Sequence, residues 1–331
     1  MEINNKSILI TGGTGTFGNY FIKHLLKKYK PKKVIIFSRD ELKQFEMQKI
    51  FKNKCLRFFI GDVRDYNRLK LATKDIDILI HAAALKQVPT AEYNPMECIK
   101  TNIYGAENII TVSLENKIKK VIALSTDKAC NPVNLYGASK LAAEKLFVAA
   151  NNLTGKDDIQ FSIVRYGNVF GSRGSIVPLF KSKIENREYE LPVTDKNMTR
   201  FFITPEDAIK FVTKCIKMMK GGETFVPKSP SFKIIDLAKS LSNKTKIKII
   251  GIRPGEKIYE TLCPPEVSHL TLSFKDHFVI KPAITFVEKN KNYKKNGMGE
   301  IGKPVRSNFE YNSQNNSDFL SYKIIKKKFS I

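Results

Sequence analysis

Short apolar runs alternate with helical patterns of hydrophobic positions from the start of the chain to about residue 166. Runs rich in β-branched residues predict strands at 7–11, 33–38, 56–61, 76–81, 120–125 and 160–166. Apolar positions at helical spacing predict helices at 17–28, 40–51, 65–72, 94–116 and 135–153. Since the third and fourth strands are continuous apolar runs, helices should cover both sheet faces. The pattern predicts an α/β fold, a Rossmann-type doubly wound parallel sheet.

The hydrophobic pattern becomes less regular after residue 166, although residues 204–220 predict one more helix with Pro205 in its first turn. We expect a smaller C-terminal α/β lobe that binds substrate over the carboxyl ends of the strands, where such sheets bind ligands. The polar stretch 289–317 indicates a surface arm or a partly disordered segment. The predicted division is a nucleotide-binding domain at 1–166, to which some later segments return, a substrate-binding lobe at 167–288 and a polar C-terminal arm at 289–331.

The composition of the 331 residues argues against several classes of protein. The formal net charge is +25, but the lysines are spread along the chain and few alternate with aromatic residues. We therefore expect no nucleic-acid partner, whereas the positive field would favour small polyphosphate ligands. Five dispersed cysteines without a C-x-x-C pair and four dispersed histidines predict a reduced, cytoplasmic protein without a metal site. The polar start and the short apolar runs predict neither a signal peptide nor a membrane span.

A glycine-rich turn, TGGTGTFG at residues 11–18, joins the first predicted strand to the first predicted helix. Gly12, Gly15 and Gly18 would permit a tight turn, close approach of backbone N–H groups to a pyrophosphate, and close packing of the helix on the sheet. The helix N-terminus adds a dipole that favours an anion. A glycine triplet alone is a weak signal, but its place between a strand and a helix predicts a dinucleotide site.

The end of the second predicted strand indicates which dinucleotide binds. An NAD site usually has a carboxylate there, whereas this chain has Ser38 and Arg39, and a guanidinium suits the 2′-phosphate of NADP. Asp40 could serve NAD instead, but it also lies where a helix N-cap is expected, so we predict NADP. We expect Asp62 at the adenine edge. The small residues from Ala82 to Ala84 either approach the cofactor or simply pack a helix on a strand.

Tyr136 and Lys140 are four residues apart at the start of a predicted helix, so they share one face. A tyrosine with its ordinary pKa of about 10 is a poor base, and the lysine ammonium together with a positive nicotinamide ring should lower that pKa. With the glycine-rich turn and Thr126 at the end of the fifth strand, this pair resembles the extended short-chain dehydrogenase/reductase family over nearly the whole chain. In that family the residue at the place of Thr126 hydrogen-bonds the reacting hydroxyl.

Asp127 and Lys128 follow Thr126, where nucleotide-sugar 4,6-dehydratases of that family usually have Asp and then Glu. The chain resembles instead the C5-inverting UDP-N-acetylglucosamine 4,6-dehydratases of the pseudaminic-acid pathway. The matching blocks are STDKA (125–129), YGASK (136–140), SRDELKQ (38–44), HAAALKQVPTAEYNP (81–95), RYGNVFGSRGS (165–175), MTRFF (198–202) and GIRPGEK (251–257). The resemblance implies oxidation at C4, loss of water across C5–C6 and hydride return to C6.

In this chemistry Lys128 would be the base at C5 and Asp127 the acid at C6. Because a lysine must be neutral to act as a base, we expect burial or nearby positive charge to lower the pKa of Lys128. The residue that returns a proton to C5 remains open among Lys128, Asp127 and Tyr136.

The resemblance also implies the ligand-binding residues. NADP would be bound by the glycine-rich turn, the strand ends and a loop crossing the cofactor: Gly12, Thr14, Gly15, Thr16, Phe17, Gly18, Ser38, Arg39, Asp40, Lys43, Asp62, Val63, Ala82, Lys86, Tyr136, Lys140, Val169 and Arg173. UDP-N-acetylglucosamine would be bound by Lys86, Asn168, Ile176, Thr194, Arg200, Arg253 and Glu256. The resemblance implies a homo-oligomer, either a dimer or a hexamer assembled from dimers.

Three other functions fit parts of this pattern. A UDP-sugar 4-epimerase shares Thr126, Tyr136 and Lys140 but needs no acid–base pair for C6, so Asp127 and Lys128 argue against it. A C5-retaining dehydratase would differ in stereochemical outcome alone. A non-catalytic NADP-sensing or nucleic-acid-binding relative is disfavoured because the reactive side chains are all present.

Overall fold

A large mixed sheet forms the centre of the molecule. The computed structural model describes residues 3–172, 174–284 and 291–329. Its parallel part consists of β1 (Ser7–Thr11), β2 (Lys33–Ser38), β3 (Leu56–Ile60), β4 (Ile78–His81), β5 (Lys120–Thr126) and β6 (Gln160–Tyr166). These strands lie in the order β6-β5-β4-β1-β2-β3, which is the Rossmann order. The predicted doubly wound parallel sheet is confirmed.

Helices cover both faces of this sheet, as the apolar strands require. One face carries α1 (Thr16–Lys28) and α2 (Glu41–Ile50), and the other carries α3 (Tyr66–Ala72). The chain then forms α4 (Val88–Tyr93), α5 (Pro95–Ile99), a π-helical turn (Lys100–Tyr104), α6 (Gly105–Glu115) and α7 (Leu135–Ala149). Buried aliphatic residues of each face pack against these helices and form two separate hydrophobic clusters.

The helix predicted over residues 94–116 is in fact interrupted, and α4 was not predicted. At the π-helical turn, the Asn102 side chain accepts a hydrogen bond from the Leu85 N–H at 2.8 Å and donates one to the Leu85 carbonyl at 2.9 Å. This side chain ties the turn to the loop after β4, close to the carboxyl ends of the strands. A π-helical turn inside a helix commonly marks a functional site.

The remaining elements form a second lobe and extend the sheet. The lobe contains α8 (Ile176–Glu185), β7 (Glu190–Val193), β8 (Thr199–Phe201), α9 (Pro205–Met218), β9 (Thr224–Pro227), β10 (Ser231–Lys233), α10 (Ile234–Leu241), β11 (Lys246–Ile249) and β12 (Thr261–Cys263). Of these, α9 packs on α1 and β9 pairs with β6, so both return to the first domain. The strands β13 (Thr271–Ser273) and β14 (His277–Ile280) continue the sheet beyond β9.

The segment expected to be a polar arm is packed against both lobes where the structure describes it. Its strands are β15 (Lys303–Pro304), which pairs with β13, and β16 (Tyr311–Asn312), which pairs with β12. Its helix α11 (Tyr322–Phe329) packs on α10. Within the described residues no helix has both the length and the apolar character needed to cross a membrane.

Candidate active site

The glycine-rich turn between β1 and α1 forms a cradle that side chains would fill. Gly12 has a φ of +64°, and a Cβ there would lie 3.0 Å from the backbone of Ala83. A Cβ at Gly18 would lie 1.9 Å from the Gly13 carbonyl oxygen, so the helix can approach the turn only because this residue is glycine. The N-cap of α1 is Gly15, which has no side chain to cover the helix N-terminus. The turn therefore fits a dinucleotide pyrophosphate.

A single cavity of about 1170 Å³ opens in front of this turn and runs to the second lobe. All the predicted cofactor residues line it except two. Gly18 lies behind the turn, and Arg173 falls outside the residues that the structure describes. The predicted substrate residues Lys86, Asn168, Ile176, Thr194, Arg200, Arg253 and Glu256 line the same cavity. The structure thus places both predicted groups of residues around one space.

At one end of the cavity, Arg39 and Asp40 have different environments. Asp40 is the N-cap of α2, because its carboxylate accepts a hydrogen bond from the Lys43 N–H at 2.9 Å, as the sequence predicted. The half-exposed Arg39 lies 3.6 Å from Asp62. Burial would raise the pKa of Asp62, but hydrogen bonds from Arg64 and the charge of Arg39 lower it. This end of the cavity therefore presents a guanidinium, while the competing carboxylate of Asp40 caps a helix.

Tyr136 and Lys140 project from the first turns of α7 into the middle of the cavity, as the spacing predicted. Lys140 Nζ donates a hydrogen bond to the Leu124 carbonyl at 2.7 Å, and burial lowers its pKa to about 8. The expected lowering of the Tyr136 pKa, which included the charge of a nicotinamide ring, is not produced by the groups of the protein alone. Burial raises the pKa of Tyr136 to about 12 and outweighs the opposite effects of Lys128 and of a hydrogen bond with Thr126. Desolvation of the phenolate is the dominant cause.

Lys128 lies at the carboxyl end of β5, in the 3-10 turn Asp127–Ala129. Its Nζ donates hydrogen bonds to Asp127 Oδ1 at 3.0 Å and to Asn168 Oδ1 at 3.1 Å. The expected lowering of its pKa is wrong. Burial does act to lower the pKa of Lys128, but the negative charges of Asp127 and Glu260 outweigh it and raise the pKa well above the ordinary value. Two carboxylates beside one ammonium stabilise the charged form.

Asp127 is fully buried beneath the cavity floor. Its Oδ1 accepts hydrogen bonds from Thr126 Oγ1 at 3.0 Å and from Lys128 Nζ. Its Oδ2 has no hydrogen-bond partner among the described residues, and a Cβ at Gly167 would lie 3.2 Å from it. Thr126 and Lys128, which both donate hydrogen bonds to this carboxylate, line the cavity above it.

The second lobe supplies the opposite wall. Thr194 Oγ1 donates to Glu256 Oε2 at 3.0 Å, and Arg253 lies 3.9 Å from the same carboxylate. Arg200, which is expected among the substrate-binding residues, lines the cavity and also makes hydrogen bonds within the protein. Its buried guanidinium donates to the backbone carbonyls of Thr199, Lys257 and Ile258 at 2.7–3.1 Å. It therefore fixes the 257–258 loop as well as lining the cavity.

Sequence reasoning missed Glu260, whose buried carboxylate lines the cavity beside Lys128 and Arg200. It also missed Thr101 and Ser125, whose buried hydroxyls have no partner among the described residues. Glu260 belongs to no motif and is distant from Lys128 in the sequence, so only the packing of the second lobe reveals it.

The chain is similar to proteins of known name over almost its whole length. Residues 8–282 match the family described as polysaccharide biosynthesis protein. A Campylobacter jejuni protein named UDP-N-acetylglucosamine 4,6-dehydratase (inverting) is 57% identical over 320 residues, covering 97% of this chain and 96% of that protein. A Rickettsia bellii protein named UDP-glucose 4-epimerase is 46% identical over 269 residues, or 79% of each chain.

Solved structures have the same fold. The structure of Pen from Bacillus thuringiensis matches with a TM-score of 0.88 at 37% identity, covering 99% of this chain and 98% of that one. A dTDP-glucose 4,6-dehydratase from Streptomyces venezuelae, with NAD bound, matches with a TM-score of 0.69 at 20% identity, covering 76% of this chain and 86% of that one. At that identity the second likeness concerns the fold alone.

Proposed function

The chain belongs to the polysaccharide biosynthesis protein family, and we propose that it is an inverting UDP-N-acetylglucosamine 4,6-dehydratase. Its product would be the 4-keto-6-deoxy sugar of L-arabino configuration, UDP-2-acetamido-2,6-dideoxy-β-L-arabino-hex-4-ulose. The observation that carries this proposal is the hydrogen bond from Lys128, which lines the cavity together with Tyr136, to the buried carboxylate of Asp127. An acid and a base beside an oxidation site are what an elimination from C5 and C6 requires.

The cofactor is a nicotinamide dinucleotide, and we infer that it is NADP. Gly12 and Gly15 would hold the pyrophosphate, and Arg39 would meet the 2′-phosphate at the far end of the cavity. When bound, the dinucleotide would supply the redox chemistry, accepting hydrogen from C4 and returning it to C6. Its tight retention throughout the cycle would be required, since the same hydrogen is used twice.

The oxidation step depends on Tyr136 and its neighbours. The phenolate of Tyr136 would take the proton of the C4 hydroxyl, while Thr126 would hold that hydroxyl by a hydrogen bond. Because burial raises the pKa of Tyr136, the phenolate must gain positive charge nearby before it can act. Lys140, held by the Leu124 carbonyl one turn along α7, is placed to supply it.

The elimination step would use Lys128 and Asp127. The C4 ketone acidifies the C5 hydrogen, which Lys128 would remove as a proton, while Asp127 would protonate the departing C6 hydroxyl so that water leaves. Before this step Lys128 would pass a proton to Asp127 along the hydrogen bond that joins them, which leaves a neutral amine to act as the base and a protonated carboxyl to act as the acid. Thr126 and Lys128 would connect the buried Asp127 to the sugar, because both hydrogen-bond its Oδ1.

A 4-epimerase is the second candidate, because one relative with 46% identity has that name. An epimerase returns hydrogen to C4 and leaves the C6 hydroxyl in place, so it has no use for Asp127 and Lys128. Incubation with UDP-N-acetylglucosamine in deuterated water, followed by NMR, separates the two. We expect a 6-deoxy product with deuterium at C5 and inverted configuration there. A C4 epimer would overturn the proposal, and a D-xylo product at the earliest times would overturn the inversion alone.

We further infer that the enzyme is a lyase that works in the cytoplasm as a homo-oligomer, a dimer or a hexamer. Its product would enter synthesis of pseudaminic-acid-type sugars. Basic side chains that line the cavity, among them Lys86 and Arg253, suit the diphosphate of a nucleotide sugar, and we expect no nucleic-acid partner.

A further inference from the structure

Glu260 places a buried carboxylate among three cations, two of which, Lys128 and Arg200, line the cavity. The side chain is 3% exposed. Its Oε1 lies 3.5 Å from Lys128 Nζ and 3.7 Å from Arg200 Nε, and its Oε2 lies 4.0 Å from Lys257 Nζ. Among the described carboxylates that line the cavity, Glu260 is the one that pairs with Lys128 from the second lobe.

The carboxylate of Glu260 has acceptor capacity that the fold does not use. Its Oε2 is buried without a hydrogen-bond partner among the described residues. Glu223 shows the contrasting case, because its buried carboxylate accepts hydrogen bonds from the N–H groups of Lys220 and Gly221 and from Ser162 Oγ at 2.6–2.8 Å. Burying a carboxylate oxygen without a hydrogen-bond partner costs free energy. A carboxylate whose role is only structural would be expected to have its acceptors satisfied, as those of Glu223 are.

The backbone of Glu260 is held firmly, so the side chain has a defined position. Its N–H donates to Ser313 Oγ at 3.0 Å, and its carbonyl accepts from the Ser313 N–H at 2.8 Å. Ser313 Oγ also lies 2.9 Å from Thr199 Oγ1. Glu260 is therefore fixed between the start of β8 and the residue after β16.

We propose that Glu260 is a positioning residue for Lys128, which holds its nitrogen toward the sugar and balances the charge that this nitrogen gains. The proposal rests on the proposed function. As the C5–H bond breaks, an N–H bond forms on Lys128 and the electron pair moves into the enolate that ends on the C4 oxygen. The new ammonium then lies between Asp127 and Glu260, and it donates a further hydrogen bond to Asn168 Oδ1.

Glu260 also determines the pH at which Lys128 becomes a base. The charged or titratable groups that face Lys128 are Asp127 in its own turn, Glu260 before β12, Arg200 in β8 and Tyr136 in α7. Burial and Arg200 lower the pKa of Lys128, while Asp127 and Glu260 raise it. Without the charge of Glu260 the pKa of Lys128 falls. Since the rate rises with pH as Lys128 loses its proton, the rising limb of the pH profile moves to lower pH.

The experiment compares the parent protein with Glu260→Gln, Glu260→Asp and the control Glu266→Gln, which removes an exposed carboxylate of the same lobe. At the highest pH at which both proteins stay folded, we expect Glu260→Gln to lower kcat about 10- to 100-fold, with KM changed less than about threefold. Its rising limb should move to lower pH, because the charge of Glu260 raises the pKa of Lys128. Reduced dinucleotide should accumulate on the protein, because oxidation continues while deuterium uptake at C5 slows. Glu260→Asp should keep the limb near its original pH and recover part of kcat.

Other results would count against this role. If the rising limb of the pH profile stays in place in Glu260→Gln, while Tm falls and the rates of all steps decrease equally, then Glu260 has only a structural role. A rise in KM alone would mean that it contacts substrate. If Glu260→Gln does not fold, Glu260→Asp decides: slower C5 exchange supports the proposal and an unchanged rate overturns it. A parent protein that forms no 6-deoxy product would instead overturn the proposed function itself.

Discussion

Among single residues, Tyr136 and Lys128 would act on different bonds of the sugar in the proposed reaction, so their loss should stop it at different points. Tyr136→Phe should reduce turnover about 10²- to 10⁴-fold and leave the bound dinucleotide oxidised when substrate is added. Lys128→Ala should permit oxidation, so that the absorbance of bound NADPH accumulates without a 6-deoxy product. Stopped-flow absorbance with product NMR measures both. Lys145→Ala, an exposed lysine of α7, is the control; identical behaviour of the two variants would mean that Lys128 has another role.

The charge of Arg39 should decide between the two dinucleotides. Arg39→Asp would remove the proposed contact to the 2′-phosphate and add repulsion, so NADP affinity should fall about 10- to 100-fold while NAD affinity changes little. Calorimetric titration of the cofactor-stripped protein measures both constants. Lys52→Asp, an equal change of charge at an exposed residue outside the cavity, should alter neither. Equal affinity of the parent protein for NAD and NADP would contradict the argument from Ser38 and Arg39.

Residue types and spacing predicted the glycine-rich turn, Tyr136 and Lys140 as parts of the cavity wall, because these groups form local patterns in the sequence. The pKa values of Tyr136 and Lys128 could not be predicted this way. They depend on how deeply each group is buried and on Glu260, which reaches Lys128 only after the second lobe has packed. The residues next to Lys128 in the sequence do not indicate which distant charges will lie beside it in the folded protein.

Among the elements, the junction of β1 and α1 tolerates no side chain where the helix passes over the turn. Gly18→Ala would place a Cβ 1.9 Å from the Gly13 carbonyl oxygen, which must be relieved by moving α1 away from the sheet. We expect a loss of about 3 kcal/mol in the free energy of unfolding and weaker dinucleotide binding. Urea denaturation measures the first and calorimetric titration the second.

The control for this change is Gly155→Asn, at an open position. Gly155 has a φ of +54°, a conformation that asparagine adopts at low cost, and a Cβ there would meet nothing within 4 Å. The free energy of unfolding of the Gly155→Asn protein should stay near that of the parent protein. A Gly18→Ala protein as stable as this control would show that α1 can shift without cost.

Secondary structure was predictable from the sequence where hydrophobic runs were long. All six strands from β1 to β6 were predicted, with ends displaced by at most two residues, because buried parallel strands are continuously apolar. The break in the helix at Lys100–Tyr104 was not, since no proline lies within that turn and its cause is the distant contact of Asn102 with Leu85. The two-residue strands β15 and β16 carry no periodic signal at all.

For the whole molecule, the net charge of +25 should speed the capture of an anionic substrate. Because the Debye length falls from about 30 Å at 0.01 M to about 3 Å at 1 M salt, kcat/KM for UDP-N-acetylglucosamine should fall severalfold over this range. Steady-state kinetics at several salt concentrations measures it. The internal control is kcat at saturating substrate, which should change little; a constant kcat/KM would mean that the basic side chains do not attract the substrate.

The pairing of Ser313 with Glu260 has a consequence for how the protein is made. Strands β1 to β6 and the glycine-rich turn leave the ribosome early and can form their parallel sheet while synthesis continues. Lys128 is then already in place, but its carboxylate partner in the second lobe is not anchored until β16 has emerged and paired with β12. The nascent chain should thus bind a dinucleotide before it can process a sugar, and a ribosome stalled before β16 would display a cofactor-binding domain with an unfinished active site.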